Sequence, residues 1–285
     1  MTNVPERVGV AGDWHGNTPW AVKAVAKMAA LLPAPRIILQ LGDFGIWPGP
    51  SGASYLARVE DALAAADAEL WFVDGNHEDF TQLRPDAADR YQLTSRIWHL
   101  PRGYRWTWRD RTWLALGGAV SLDRAGRTEG ADWWPEEEIT WRQAGAVISA
   151  GPADVMVTHE CPAGIPHNFP PPPSWWAGSD LRRSDAHRAL MREVVLGVRP
   201  GWLMHGHLHI PYQREVDFGF GIGPAQPTGP VQPTGPVQAT SPVQVTGLDC
   251  DGAEHSNWAI LDVAAMRWTH FQGKPLGNLA RTLTR

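Results

Sequence analysis

Short apolar runs alternate with longer amphipathic stretches in the first third of the chain. The apolar runs at residues 7–12, 36–41 and 69–73 have the length and content of buried strands. The segments 19–32 and 55–68 between them have the pattern of helices, with proline at or near their ends. Strand, helix, strand, helix, strand predicts a largely parallel sheet covered by helices, in which ligands bind at the carboxyl ends of the strands.

The remainder of the chain has a shorter β-like pattern mixed with helices. Residues 97–116 hold three short pieces separated by turns, which predict antiparallel strands or a second sheet. Further along, the pattern predicts a helix that opens at 133–138, a strand at 154–158, a basic helix at 184–196, a strand at 200–204 and a closing hairpin at 257–271.

Polar residues with metal-binding chemistry follow five of these strands. They are Asp13 and His15, Asp43, Asn76 and His77, His159, and His207 and His209. Taken alone, the motifs at Asp13 and at Asn76 also fit capped turns. Together they offer carboxylate, imidazole and amide oxygen, which are the ligands of hard to borderline divalent metals, in numbers sufficient for two ions. The sequence therefore predicts a metal site at the carboxyl edge of the sheet.

Other conspicuous residues have structural interpretations. We expect His99 to be structural, and His205 to be structural or to support a neighbouring ligand. The acidic run 136–138 is interpreted as the solvated first turn of its helix. The loop that carries Pro170 to Pro173 ends in Trp175 and Trp176, which either pack over the core or form a lid that stacks on a substrate base or sugar.

Composition narrows the class of protein. With 285 residues, 43% of them hydrophobic, the chain can bury a sizeable core. The net charge of −5 disfavours a broad nucleic-acid-binding surface but leaves room for a small phosphate ester. Two cysteines, Cys161 and Cys250, cannot form a disulfide framework or a Cys-rich zinc site. Neither an apolar leader nor a membrane-spanning stretch is evident, so we expect a soluble cytoplasmic protein with no membrane partner.

Residues 224–247 repeat with a period of six, as in Pro-Val-Gln-Pro-Thr-Gly. Regular proline without charge predicts an extended or disordered insertion, at about 221–248, in a single domain that spans 1–285. A docking strip for a partner is the alternative.

The five motifs, in this order and each at a strand end, resemble those of the calcineurin-like metallophosphoesterases over residues 7–210. The resemblance implies an α/β fold, a four-layer α/β/β/α sandwich of two mixed sheets with flanking helices and a two-metal centre between the sheets. By the family pattern, Asp43 bridges the two ions. The pattern assigns Asp13, His15, Asp43 and His209 to one ion, and Asp43, Asn76, His159 and His207 to the other.

The implied chemistry is hydrolysis of a phosphoester. Two divalent ions roughly 3.5–4 Å apart can share a hydroxide and aim it at phosphorus. We expect Mn²⁺, with Fe, Zn or Ni as alternatives. His77, which the pattern does not make a ligand, is the candidate acid that protonates the leaving oxygen.

One departure bears on the substrate. The Ser/Thr protein phosphatases of this superfamily carry Asp and Arg three and four residues after the bridging Asp, where this chain has Ile46 and Trp47. Glu78 or Asp79 is the candidate replacement for the Asp that orients the catalytic His. We therefore favour a small phosphodiester or nucleotide over a phosphoprotein.

Two other functions remain in view, and the oligomeric state stays open. One is a nuclease of the same superfamily, which needs a basic groove. The other is a non-catalytic, metal-stabilised scaffold that presents the proline-rich repeat.

Overall fold

The structure is a computed structural model that describes residues 4–166, 172–174, 176–219 and 242–271. In chain order its strands are β1 (Arg7–Ala11), β2 (Ile37–Gln40), β3 (Glu69–Phe72), β4 (Tyr91–Gln92), β5 (Ile97–His99), β6 (Arg105–Trp108), β7 (Arg111–Leu116), β8 (Val155–Thr158), β9 (Trp202–His205), β10 (Tyr212–Val216), β11 (Val243–Gly247), β12 (Trp258–Asp262) and β13 (Arg267–His270). The α-helices of the described residues are α1 (Thr18–Ala29), α2 (Gly49–Ala66), α3 (Trp141–Ser149) and α4 (Gly178–Val198).

The first sheet has seven strands in the order β13-β12-β1-β2-β3-β5-β4. Its centre is parallel, and its registers place Gly9 opposite Ile38 and Ile38 opposite Leu70. The carboxyl ends of β1, β2 and β3 therefore lie side by side. The predicted closing hairpin is confirmed, because β12 pairs antiparallel with both β1 and β13.

The second sheet has six strands in the order β10-β11-β9-β8-β7-β6. Strands β7, β8, β9 and β11 are parallel, with Val157 opposite Met204. This register places the ends of β8 and β9 next to each other. His159 and the histidines that follow β9 are thereby brought to one edge.

Three buried cores separate four layers. Helices α1 and α2 cover the outer face of the first sheet, and α3 and α4 cover the outer face of the second. The inner faces pack on each other through side chains such as Val10, Leu39, Ala115 and Val157. Along β7 the alternation is direct, since Leu114 faces the helices and Ala115 faces the other sheet. The predicted α/β/β/α sandwich of two mixed sheets is confirmed.

The β-like stretch at 97–116 is divided between the two sheets. Strand β5 extends the first sheet parallel to β3, while β6 and β7 form an antiparallel pair at the edge of the second. The chain crosses between the layers directly after β5. The pair β6–β7 therefore meets both alternatives predicted for this stretch, whereas β5 lies in the first sheet and is parallel to β3.

The prediction of a helix that opens at 133–138 is wrong. That stretch holds only the 3₁₀ helix Pro135–Glu137, and α3 begins at Trp141, where Thr140 and Gln143 form a capping box. The interpretation of the acidic run as a solvated helix start holds for the exposed Glu136 but not for Glu137. Glu137 is fully buried, and its carboxylate accepts hydrogen bonds from the backbone N–H and hydroxyl of Ser121 at 2.9 and 2.5 Å.

The repeat also differs from expectation at its end. Val243–Gly247 are extended, but the expectation that the repeat does not pack is wrong for them, because they form β11 between β9 and β10. The sequence Val-Gln-Val-Thr-Gly has the two-residue alternation of a strand, and Val243 and Val245 pack in the core beneath α4. Residues 220–241 lie outside the described part of the chain, and the single-domain prediction with its insertion stays a prediction.

The loop predicted to be a lid or a cover lies partly outside the described residues. Pro170, Pro171 and Trp175 are not described, and Trp176 is partly buried. The choice between packing and a lid stays open. Among the helices at 4–166, 172–174, 176–219 and 242–271, none is long and apolar enough to cross a membrane.

Candidate metal centre

The loops after β1, β2, β3, β8 and β9 bring the predicted site residues together. Asp13, His15 and His209 form one group whose ligand atoms lie within 4.8 Å of one another, and Asp43, His159 and His207 form a second. We call the first group the exposed half-site, and we call His159, His207 and Asn76 the buried half-site, with Asp43 shared between the two. A third overlapping group, formed by His15, Asp43 and His77, connects them.

In the exposed half-site, two imidazoles face two buried carboxylates. His209 Nε2 lies 3.0 Å from Asp13 Oδ2, and His15 Nε2 lies 3.4 Å from Asp43 Oδ2. The side chain of His209 is 41% exposed and that of His15 is 23% exposed, whereas Asp13 is fully buried. The two imidazoles on this side are therefore open to solvent, whereas the carboxylate is not.

In the buried half-site, neighbouring groups fix which atoms face the centre. His159 Nδ1 donates to the carbonyl of Leu41 at 2.6 Å, so that Nε2 is turned toward Asp43 Oδ1 at 3.4 Å and Asn76 Oδ1 at 3.2 Å. The Asn76 amide nitrogen donates to Ser121 Oγ, which leaves its oxygen on the same side. These atoms can ligate a cation without rearrangement.

His207 supplies the clearest test of fit to a metal. Its Nε2 is buried and has no hydrogen-bond partner among the residues that the structure describes, and an oxygen of Glu160 is 3.9 Å away. A buried polar atom without a partner costs free energy, and a cation at this position would satisfy it. The donor set of imidazoles, carboxylates and an amide oxygen suits a divalent ion.

Asp43 lies between the half-sites with one oxygen toward each. Its Oδ1 faces His159, and its Oδ2 faces His15. Its Oδ1 also accepts the backbone N–H of His77 at 2.8 Å, which fixes the carboxylate plane. This is the placement that a bridging carboxylate requires.

The ligand turns have an unusual backbone. His15, Asp43, His207 and His209 all have positive φ, between 44° and 64°. Gly75 permits the turns to approach each other, because a Cβ there would collide with Asp43 Oδ1. Non-glycine residues with positive φ concentrate at functional sites, where the surrounding structure holds them in place.

The charges of the centre depend on one another. Burial alone would raise the pKa of Asp43, but His159 and then His77 outweigh it and hold that pKa well below its usual range. Burial also opposes charge on the imidazoles, yet Asp43 raises the pKa of His15 to about 10 and that of His159 to about 9. Burial lowers the pKa of His207 to about 4. Cations would therefore have to displace protons from His15 and His159, which makes metal affinity rise with pH.

Asp251 supports the exposed half-site and was missed by the sequence reasoning. Its Oδ1 lies 2.8 Å from His15 Nδ1, and its Oδ2 accepts from Asn17 at 2.7 Å. The contact turns His15 Nε2 toward the centre, as carboxylates commonly do for metal-binding imidazoles. Asp251 lies in the loop before β12, and no motif in the sequence marks it.

The residues expected to orient His77 do not do so. Glu78 instead accepts the backbone N–H groups of Phe44, Gly45 and Ile46, and burial followed by the charge of Asp43 raises its pKa to about 7. Asp79 caps the 3₁₀ helix Phe80–Gln82. The hypothesis that Glu78 or Asp79 replaces the phosphatase Asp is therefore wrong.

The imidazole of His77 contacts an arginine from another loop. Arg127 Nη2 lies 2.7 Å from His77 Nε2, and the same nitrogen donates to Asp123 Oδ2 at 2.9 Å. Burial, with the charge of Arg127 adding to it and that of Asp43 opposing it, lowers the pKa of His77. The loop after β7 that carries Arg127 has no recognised motif, which is why the sequence reasoning missed it.

The two histidines assigned to structural roles have structural contacts. His99 is fully buried and its Nε2 lies 3.1 Å from Asp74, which also binds Arg102. His205 is fully buried and contacts the hydroxyl of Tyr212.

A cavity of about 880 Å³ opens beside His77. Its walls include Trp47, Asp123, Arg127 and Asp132. The cavity adjoins the metal centre through the pair of His77 and Arg127.

The structure is thus a four-layer sandwich with Asp/His groups at aligned strand ends that could hold divalent ions. The model of the calcineurin-like phosphoesterase family matches residues 6–211. The chain belongs to this family, and the resemblance in the sequence is confirmed.

One solved structure illustrates the likeness in fold. The crystal structure of TT1561 of Thermus thermophilus matches with a TM-score of 0.51 and 12% sequence identity, over 93% of this chain and 97% of that one. At this identity the likeness shows the fold alone. No curated protein matched the chain.

Proposed function

We propose that this protein hydrolyses a small phosphodiester or nucleotide with two divalent ions, one in each half-site. The observation that carries the proposal is the position of Asp43, whose two oxygens face the two half-sites. Asp13, His15 and His209 would complete one ion's ligands, and Asn76, His159 and His207 the other's. When bound, such a pair of ions lowers the pKa of a water between them and neutralises phosphate charge.

His77 is the proposed acid for the leaving oxygen. In the structure Arg127 donates to His77 Nε2, because a guanidinium has only donors. A phosphate oxygen beside Arg127 would take that donor and leave Nε2 facing the ester oxygen. Nε2 of His77 could then take up a proton from solvent and pass it to the leaving alkoxide, which would depart as an alcohol.

Support for a diester comes from the charge around Arg127. The sequence has Trp47 where the protein phosphatases have an arginine, and Arg127 supplies a guanidinium from a different loop. Its charge is balanced by Asp123, whose two oxygens lie 2.8 and 2.9 Å from Nη2. A balanced arginine suits the single charge of a diester better than the double charge of a monoester.

The donor set and the thiols support the remaining assignments. Oxygen and imidazole donors without a thiolate favour hard to borderline ions, and we place Mn²⁺ first, with Fe, Zn and Ni after it. Cys161 and Cys250 are both free thiols, in keeping with a reducing cytoplasm.

The test is hydrolysis of bis(p-nitrophenyl) phosphate by protein loaded with each metal in turn. We expect turnover to require added metal and to be fastest with Mn²⁺. We also expect kcat/KM to be higher for bis(p-nitrophenyl) phosphate than for the monoester p-nitrophenyl phosphate. A protein that holds two ions and hydrolyses neither ester would support the scaffold alternative. Faster cleavage of single-stranded or duplex oligonucleotides than of small diesters would support a nuclease.

A further inference from the structure

The cavity beside His77 has the size of a small-molecule site. Its volume of about 880 Å³ lies within the ~300–1,000 Å³ typical of such sites. It opens at the residue proposed to contact the ester oxygen. Whatever organic group the phosphoester carries on that side has this space to enter.

One wall of the cavity presents an indole held in a fixed position. Trp47 is 40% exposed, which is unusual among the large apolar side chains that the structure describes. Its ring packs on Gly16, where an added Cβ would lie only 3.2 Å from the ring. Because Gly16 directly follows His15, the indole is braced against a turn of the metal centre. A ring held in this way can stack on a planar aromatic group without losing further freedom.

The charges of the cavity limit how many phosphates it can hold. Among the described residues that line it, Arg127 is the only arginine or lysine, and its side chain is 8% exposed. Asp123 and Asp132 are the carboxylates of the lining. A second phosphate inside the cavity would meet these carboxylates, whereas hydroxyl and amino groups could donate to them.

The wall that carries Asp123, Arg127 and Asp132 is held in place by hydrogen bonds and a ring contact. Asp180 of α4 accepts the backbone N–H of Ala125 at 3.2 Å, and Asp132 accepts that of Thr128 at 2.5 Å. Arg124 stacks over the ring of Trp133 at 4.1 Å. The loop from Asp123 to Asp132 is therefore fixed by its own contacts.

We propose that this cavity binds the nucleoside part of a nucleotide ester, with the base stacked on Trp47 and the phosphate held at the mouth by Arg127. A nucleoside combines the planar ring that Trp47 fits with the hydroxyl and amino donors that Asp123 and Asp132 fit. The inference rests on the proposed function for the position of the phosphate. It goes further in naming the organic group and the residues that select it.

The test measures binding without turnover on the metal-loaded protein. One probe is the phosphonate analogue of adenosine monophosphate, in which a methylene group replaces the ester oxygen, and the other is methylphosphonate. We expect calorimetry to show tighter binding of the nucleoside probe. In the Trp47→Leu variant, the ratio of the two affinities should fall by about tenfold, because base stacking on an aromatic side chain is worth roughly 1–3 kcal/mol. Trp47→Phe should keep most of it, and Trp141→Leu, at an indole that is 74% exposed on α3, should keep all of it.

Arg127 is tested in parallel. Arg127→Gln should weaken both probes by about tenfold or more, since hydrogen bonds to charged groups contribute roughly 1.5–3 kcal/mol. Arg142→Gln, at a side chain that is 77% exposed on α3, is the matched control and should change neither affinity.

The outcomes separate this inference from the proposed function. Equal affinity of the two probes, or a preference that survives Trp47→Leu, overturns the nucleoside subsite even if the protein hydrolyses esters. Unchanged binding in Arg127→Gln overturns the role of Arg127. A strong, Trp47-dependent preference in a protein that hydrolyses no ester would support the inference and contradict the proposed function.

Discussion

The two half-sites of the metal centre differ in burial and in what holds their ligands. His159 and His207 are enclosed between the sheets, whereas His15 and His209 reach solvent. The buried ligands are oriented by groups at the strand ends, such as the carbonyl of Leu41. The exposed half-site depends on Asp251, more than two hundred residues from His15 in sequence.

If each half-site holds an ion, as we propose, this difference predicts different lifetimes for the two ions. A buried ligand without an alternative partner loses more when its ion leaves than an exposed ligand that water can solvate. We therefore expect a slowly exchanging ion in the buried half-site and a labile one in the exposed half-site.

Substituting Asp43, the carboxylate shared by the half-sites, should remove the difference between them. In Asp43→Asn both half-sites lose charge, so we expect both ions to be lost and kcat/KM for bis(p-nitrophenyl) phosphate to fall by about 10³-fold or more. Elemental analysis beside steady-state kinetics measures both effects. The exposed Asp110→Asn is the control, and two ions per chain in Asp43→Asn would contradict the bridging role.

His77→Gln should spare both ions and damage catalysis according to the leaving group. A nitrophenolate leaves readily without a proton, whereas a ribose alkoxide does not. We expect a loss of about 10²–10⁴-fold on a nucleotide diester and a much smaller loss on nitrophenyl esters. Measuring kcat on both substrates together with metal content decides the matter, and equal losses on the two would rule out the acid role.

Asp251→Asn should affect one half-site only. Without the carboxylate that orients His15, the affinity of the exposed half-site for its ion should fall by about 10–100-fold. Chelator titration with metal analysis should show one ion lost early and one retained, and excess Mn²⁺ should restore activity. Simultaneous loss of both ions would show that the half-sites are not independent.

A smaller effect concerns the turn that carries Asn76. Arg102 and His99 bind Asp74 and, against the burial that would raise it, lower its pKa from 3.8 to about 2. This stabilisation is fully present above the unfolded pKa and is lost as the pH falls through the folded value, an effect of roughly 2 kcal/mol. Denaturant unfolding of metal-free wild type and Asp74→Asn from about pH 5 to 2 should show their difference shrinking. A constant difference would exclude this linkage.

The smallest effect is expected from the repeat. Val216 pairs with Val243, so the two ends that residues 220–241 connect lie close together. Replacing 220–241 by a short Gly-Ser linker should leave both ions in place and change stability little, since each halving of loop length is worth only about 0.6 kcal/mol. Extending the deletion through Val243–Gly247 removes β11 and should unfold the second sheet. Similar melting temperatures for the two deletions would contradict the assignment of β11.

Local sequence patterns were sufficient to predict the site residues that directly follow a strand. Asp13, Asp43 and His159 each follow an apolar run, so strand prediction alone brought them to one edge of the sandwich. Strand prediction did not place Asp251 and Arg127 at the site. Both lie in loops whose conformations are set by distant contacts, to His15 and Asn17 in one case and to His77 and Asp123 in the other.

Burial reversed two other expectations. Glu137 looked like part of a solvated acidic turn, but tertiary packing places it on Ser121. The valines of β11 were hidden in a repeat whose other units have proline every few residues. In both cases the deciding interaction joins residues far apart along the chain, and no window of sequence contains it.

The positive φ of His15, Asp43, His207 and His209 restricts which residues can occupy these four positions. Asp, Asn and His adopt this backbone more readily than other side chains, and branched aliphatic residues are excluded from it. The residue types that coordinate cations are thus also the types that the turns accept. Glycine is the substitution that separates the two requirements, because it accepts the backbone conformation and removes the side chain that carries the donor atom.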